Sequence, residues 1–436
     1  MGIVKTEKTY KGGNWCFLRS NREFLKLWCG GSVSLLGDSL NNVAVVLLTA
    51  TINQGSAFAV GVVIGLRFIP RMLCSIVAGV LADRHDRKSL LFTLDLIMAL
   101  LAVPYIFVTD SAQSWLLYPL VGLMGATNAL FLTVRLSLVP DLVGKENMGA
   151  ATALNQISIG GSTILGNVLG GAIVGFVGYR IAFVINIATF LISALCTLSI
   201  KRSEPTVNKS KNILFAYISH PIRSKFREFL IDGANYLKQH YFILRMIFLN
   251  VSWSLGGGGV FVIMAMLNYK QFENSETTLG VFYSMAGVGA VLAAFMKSWF
   301  GKNPRRDTLV LGLACIVEGI ALIVLTLVSG FCGVVILFGF QMTATFVFGL
   351  VYEPLLITCV SDEMRGRVVG FSNGLMLPVY GLSAVIHGLM LNHMSLSAVS
   401  CVSGGIMALS GLAWLYAMAG RADAGWWMIS PDTKAG

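Results

Sequence analysis

Residues 79–91 read GVLADRHDRKSLL, with two acids and three bases set between apolar runs. Upstream, residues 58–81 are apolar apart from Arg67 and Arg71; downstream, residues 89–109 are apolar apart from Asp95. About 20 apolar residues are what a helix needs to cross the hydrocarbon core of a bilayer. The stretch therefore reads as a short polar turn joining two membrane-crossing helices. Gly79 permits close helix contact there, and Asp83 is expected to accept hydrogen bonds from the first turn of the following helix. Arg84, Arg87 and Lys88 are suited to hold lipid phosphates or neighbouring carboxylates.

The same pattern runs through the whole chain. Of its 436 residues 56% are hydrophobic and 12% charged, about half the charged share of an ordinary soluble domain. Apolar runs at about 25–52, 58–81, 89–109, 115–139, 149–177, 181–200, 241–268, 278–296, 308–329, 333–359, 368–391 and 396–419 give twelve spans. All are expected to be helices, because lipid leaves no partner for an unpaired backbone group and the period-2 alternation of a membrane barrel is absent. The expected fold is thus an all-α integral membrane protein of two six-helix bundles, 25–200 and 241–420. A cytoplasmic segment 1–24, a linker 201–240 and a tail 421–436 complete it.

The net charge of +11 maps a membrane face; it does not indicate nucleic-acid binding. With the N-terminus inside, only Arg180 and Lys270 lie on the outer face, and only Arg67, Arg71, Arg135 and Arg245 lie in or at the edge of spans. The rest of the 32 Lys and Arg residues fall in segments that would be cytoplasmic. Both termini are therefore expected inside, and no cleavable signal is read before the first span. In the linker, Phe226, Phe229, Leu230 and Leu237 share one helical face, with Lys225, Arg227, Glu228 and Lys238 away from it. This reads as a surface helix on anionic lipid.

The halves echo one another. VPDLVGKENMGAATALNQIS follows the fourth span and VSDEMRGRVVGFSNGL the tenth, so Val139 and Asp141 align with Val360 and Asp362 at a separation of 221 residues. Repeated six-span units are characteristic of secondary transporters, with the cargo site at the repeat interface. The turn GVLADRHDRK resembles the G-x-L-A-D-R-x-G-R-K loop of the major facilitator superfamily, except that Asp86 stands in place of its second glycine. The D-R-x-D-R-K form resembles the branch of macrolide efflux proteins and the enterobactin exporter, as do LGDSLNNVAV, FREFLIDGANYLKQH and SDEMRGRVVG. The resemblance spans residues 20–420. It implies a monomeric exporter in a bacterial inner membrane, moving amphipathic or siderophore-like cargo against protons, with membrane lipids around it. Gly79, Asp83, Arg84, Asp86, Arg87 and Lys88 would then form a conformational-switch loop.

An ionisable residue inside a span is costly, by about 2.5–3.5 kcal/mol on insertion scales, and is a functional candidate by default. Asp38 sits mid-way along the first span with Asn41 and Asn42 one turn on. The resemblance places the first, fourth, seventh and tenth spans around a central cavity, which makes Asp38 the candidate proton carrier, with Arg67 as partner and Glu353 as a second coupling group. A permanent structural ion pair is the alternative for Asp38. Glu353 and Arg135 lie at matching depth in symmetry-related spans, and an ion pair between them would close an inner gate. Asp95 and Glu318, in spans that the resemblance makes peripheral, are expected to be structural, and His387 a packing histidine.

For cargo, the seventh span offers Trp253, four glycines at 256–259, Phe261 and Met264. Glycines weaken the helix there, and Met and aromatic side chains adapt to varied apolar ligands. Tyr352, Met376 and Tyr380 extend that surface. No P-loop, nucleophile elbow or H-E-x-x-H motif occurs, and the eight cysteines include no C-x-x-C pair. Neither an enzyme nor a cofactor or metal protein is expected. Uniport of lipid-like or siderophore cargo, and a non-transporting sensor on the same fold, are the competing readings.

Overall fold

The computed structural model describes residues 14–144, 147–201, 240–273, 275–300 and 303–419. All regular structure among them is helical. After a short helix, Asn14–Ser20, come the first six spans at Arg22–Ile52, Ala57–Arg84, Arg87–Ala102, Leu117–Val143, Met148–Val177 and Tyr179–Leu198. The seventh is in two pieces, Tyr241–Gly257 and Val260–Gln271. The last five are Glu276–Phe300, Pro304–Leu325, Phe331–Thr358, Asp362–Met390 and Leu396–Ala419. Eleven of these, counting 3-10 extensions, are long and apolar enough to cross a membrane, and the second span contributes the shorter apolar run Ala57–Pro70. The expected linker helix and the tail 421–436 lie outside the described residues.

Local sequence accounts for the departures from plain α-helix. The third span stops at Ala102, and Val103–Phe107, which contains Pro104, continues as a 3-10 turn. Proline has no N–H to extend the α ladder. The seventh breaks within its glycine run, and the Ser383 hydroxyl donates to the Leu255 carbonyl at 2.5 Å beside the break. That supplies the partner a broken helix needs at membrane depth. One expectation about the opening loop is corrected. The second span runs on to Arg84, which leaves Asp83 in its last turn. The N-cap of the third span is Asp86, whose carboxylate accepts from the Ser89 amide and hydroxyl, each at 2.8 Å.

The chain divides into two compact units, one drawn from Met1–Leu48 and Pro70–Val207, the other from Thr49–Ile69 and Asn208–Gly436. The boundary cuts the second span, so its first part clusters with residues of the later spans. Glycine makes this possible, because a Cβ on Gly65 would lie 2.7 Å from the Gly381 carbonyl oxygen and one on Gly61 2.5 Å from that of Ala384. Small residues four apart let two backbones approach in this way. In the first unit the third span packs on the fourth and sixth, with Tyr105 stacked on Phe183 at 5.3 Å. In the second, the ninth span packs on the twelfth and tenth, and the Trp414 indole donates to the Thr308 carbonyl at 2.8 Å.

Gly65→Ala places a methyl against a backbone carbonyl and is expected to lower stability by about 1–3 kcal/mol. Gly122→Ala, whose Cβ would meet nothing nearer than Pro70 Cγ at 3.9 Å, is expected to be neutral. Thermal unfolding of the two variants in one detergent checks the difference.

Candidate functional site

The polar groups of the first unit converge from five spans. Asp38, 8% exposed, accepts a short hydrogen bond from the Asn128 amide of the fourth span. One turn on, Asn41 is buried and its Oδ1 has no hydrogen-bond partner among the described residues; Asn42 is half-buried. Arg135 is 4% exposed, its guanidinium seated over Gly31 of the first span, where any side chain would collide with it. Nη2 donates to Asn155 Oδ1 of the fifth span at 3.2 Å, while Nε has no hydrogen-bond partner among the described residues. Asp95 of the third span is fully buried, accepts from the Ser193 hydroxyl at 2.8 Å, and is electrostatically coupled to both Arg135 and Asp38.

Asp95 thus lies near both Asp38, which the sequence reading paired with Arg67, and Arg135, which it paired with Glu353. Ranking it by the number of its span set it aside, since the third span counts as peripheral. Asn128 went unnoticed because a lone uncharged Asn in GATNALF carries little signal. Arg67 is half-buried in the part of the second span that clusters with the other unit. Glu353 is exposed on the tenth span, next to buried Tyr352.

The loop that opened the sequence is tied into the first unit. Arg87 Nη1 donates to the Ser137 carbonyl at 2.8 Å and to Asp141 at 2.9 Å, and Lys88 donates to the Ile200 carbonyl at 2.7 Å. One turn therefore holds the C-terminal ends of the fourth and sixth spans and caps the third. The corresponding loop of the second unit has its own pair, Lys297 with Asp307 at 2.6 Å. The side chains of Asp83 and Arg84, and the surroundings of Gly79, lie outside the description.

In the second unit, Trp253, Phe261 and Tyr380 line one cavity of about 80 Å³. Three residues expected on that surface do not line it. Met264 is fully buried in the core, and Tyr352 stacks on Phe348 at 5.5 Å while sharing a 2.9 Å hydrogen bond with Ser372. Met376 is half-buried on the eleventh span and is not among the lining residues. The cavity's one ionisable acid is Glu318, accepting from Trp253 Nε1 at 2.8 Å and the Thr345 hydroxyl at 2.7 Å. His387 is buried between Ser383 and Ser403, a packing role.

If the Asn128 amide supports the Asp38 carboxylate, Asn128→Leu should cost about 1–3 kcal/mol and much less in an Asp38→Leu background. A double-mutant cycle by thermal unfolding measures the coupling; additive losses would mean the two side chains act separately.

Comparison with known proteins places this geometry in a family. The sequence pattern of the Major Facilitator Superfamily matches residues 27–388. The chain is 23% identical to the enterobactin exporter EntS of Citrobacter koseri over 92% of each chain. It is 19% identical to macrolide efflux protein A of Streptococcus pyogenes, over 90% of this chain and 94% of that one. Among solved structures, the nucleoside transporter NupG superposes with a TM-score of 0.69 at 13% identity, covering 91% of this chain and 99% of its own. With a twelve-span helical fold and a family match over most of its length, this chain belongs to the major facilitator superfamily of transport proteins.

Proposed function

We propose that the protein exports amphipathic drugs or metabolites across a bacterial inner membrane by alternating access, driven by proton antiport. The observation that carries this reading is the first-unit network. Asp38 is a buried carboxylate in a membrane helix, close to a second acid, Asp95, which in turn stands near Arg135, with an orphan acceptor on Asn41 one turn away. A proton added to Asp38 removes a charge from a low-dielectric site and changes what Arg135 and Asp95 must balance. That alters the relative energies of two conformations without any covalent chemistry. Asn41 then supplies a hydrogen-bonding group for cargo, and Arg67 a partner for Asp38 in one of the states. Relatives described as exporters support the direction of transport. The distribution of Lys and Arg supports cytoplasmic termini.

In this reading the opening loop is a structural brace that moves with its unit, since its bonds run to the fourth and sixth spans. Glu353 on the tenth span and Arg135 on the fourth form the inner gate, closed as an ion pair and opened by protonation or cargo.

Two measurements in liposomes with an imposed pH gradient test the reading. Adding cargo from a panel of amphiphiles should move protons, and Asp38→Asn should cut that movement at least about tenfold, a loss of about 1.4 kcal/mol of coupling. Cargo flux without proton movement would indicate uniport, and no flux of any kind a non-transporting sensor. For the gate, Glu353→Gln, which leaves the buried first-unit network untouched, should cut transport at least about tenfold; unchanged transport in that variant would remove the ion pair from the mechanism.

A further inference from the structure

Glu318 is 1% exposed, in the middle of a membrane helix, and among the described residues no Lys, Arg or His lies within ion-pair distance of it. An ionised carboxylate is expensive in such a place unless something positive faces it. Structural acids in membrane helices usually meet that need with a fixed basic partner. Glu318 instead lines a cavity whose other walls are apolar and aromatic, among them Trp253, Phe261, Phe346 and Tyr380. The Trp253 ring is held in place, stacked on Phe348 at 5.0 Å and 15° and set 6.3 Å from Tyr380. A carboxylate bordered by fixed ring faces is the chemistry that recognises a cation with an apolar coat.

The hydrogen bonds around Glu318 suit either charge state. Thr345 Oγ1 lies 2.7 Å from Glu318 Oε1 and 3.1 Å from the Gln341 carbonyl. With the carboxylate ionised, the threonine hydroxyl donates to it. With Oε1 protonated, that proton is donated to Thr345 Oγ1, whose own hydrogen turns to Gln341. Trp253 Nε1 donates to Oε2 throughout. Neither state leaves a donor stranded, which is what a reversibly occupied acid needs. The titratable neighbours are uncharged or distant. Tyr380 and Cys315 face the carboxyl group, while Arg245, Glu353 and His387 stand about two helical turns from Trp253, Thr345 and Tyr380 along their own spans.

We propose that this cavity binds the charged head of an organic ammonium cation, the Glu318 carboxylate serving as counter-ion and the rings of Trp253 and Tyr380 as its apolar walls. The proton and the cation are alternative occupants: a protonated site takes up one cation and releases one proton, so charge balances in the buried site. A volume of about 80 Å³ admits a small head group, whereas a whole drug-sized molecule needs a pocket of roughly 300 Å³ or more. The assignment rests on the export reading for its use as a cargo subsite, but binding itself does not depend on that reading.

The test uses the full chain in nanodiscs and two probes of one shape, benzyltrimethylammonium and its uncharged isostere neopentylbenzene. The cation should bind at least about tenfold more tightly than the isostere, a difference of about 1.4 kcal/mol. In weakly buffered solution its binding should release up to one proton, most at low pH where the free site is protonated and less as the pH rises, because one carboxyl group exchanges. Glu318→Gln should abolish both the preference and the release. Equal affinity for the two probes, or full cation affinity in the glutamine variant, overturns the site. If that variant does not fold, the affinity ratio and proton release of the wild type still decide. Binding with proton release but no flux of any cargo in vesicles would sink the export reading and leave the site standing. Flux of other cargo without cation preference would do the opposite.

Discussion

Hydrocarbon offers no partner to a charge or to an open backbone group, and the rest of the molecule follows from that constraint. It makes every span a helix and puts most of the 32 Lys and Arg residues into the connecting segments. It also decides what happens where a helix must break. The glycine run at 256–259 interrupts the seventh span, and the Ser383 hydroxyl reaches across from the eleventh to bond the Leu255 carbonyl. The few ionisable groups kept inside the spans escape the same cost in two ways. In the first unit Asp95 has the positive charge of Arg135 nearby, and Asp38 is held by the Asn128 amide. In the second, Glu318 stands beside an aromatic cavity with neutral donors only.

The two arrangements suit different tasks. A mixed-charge cluster changes its internal balance when one member gains a proton, and it can pass that change to the helices that carry its members. Asn128, Asn155, Ser193 and Gly31 connect the cluster to the fourth, fifth, sixth and first spans, so a shift in charge bears on most of the unit. A lone carboxylate with no basic neighbour has no such internal balance. Its charge is settled by whatever enters the cavity.

Much of this was legible in the residues, because the bilayer writes its length scale and its charge rule directly into a sequence. The spans fell within a few residues of their expected limits, and the glycine run marked a real break. What could not be read was partner choice. Asp83 and Asp86 both stand near the start of the third span, and only backbone dihedrals decide that Asp86 is the cap. Asp95 and Glu318 were set aside because their spans count as peripheral, yet helix rotation, which sequence position does not state, turns one toward Arg135 and the other toward Trp253. Met264 shows the converse error: a side chain of suitable chemistry can still point into the core.

The central claim is that the buried polar face of the first span meets water from one side of the membrane and then the other, as its protonation changes. Thiol accessibility tests it most directly, with Asn41→Cys introduced into a chain whose eight native cysteines are replaced by serine. An impermeant maleimide should label the new thiol from either face of oriented vesicles, and lowering the pH should raise the rate on one face while reducing it on the other. Labelling from a single face under all conditions, or rates that rise and fall together, would contradict alternating access through this site.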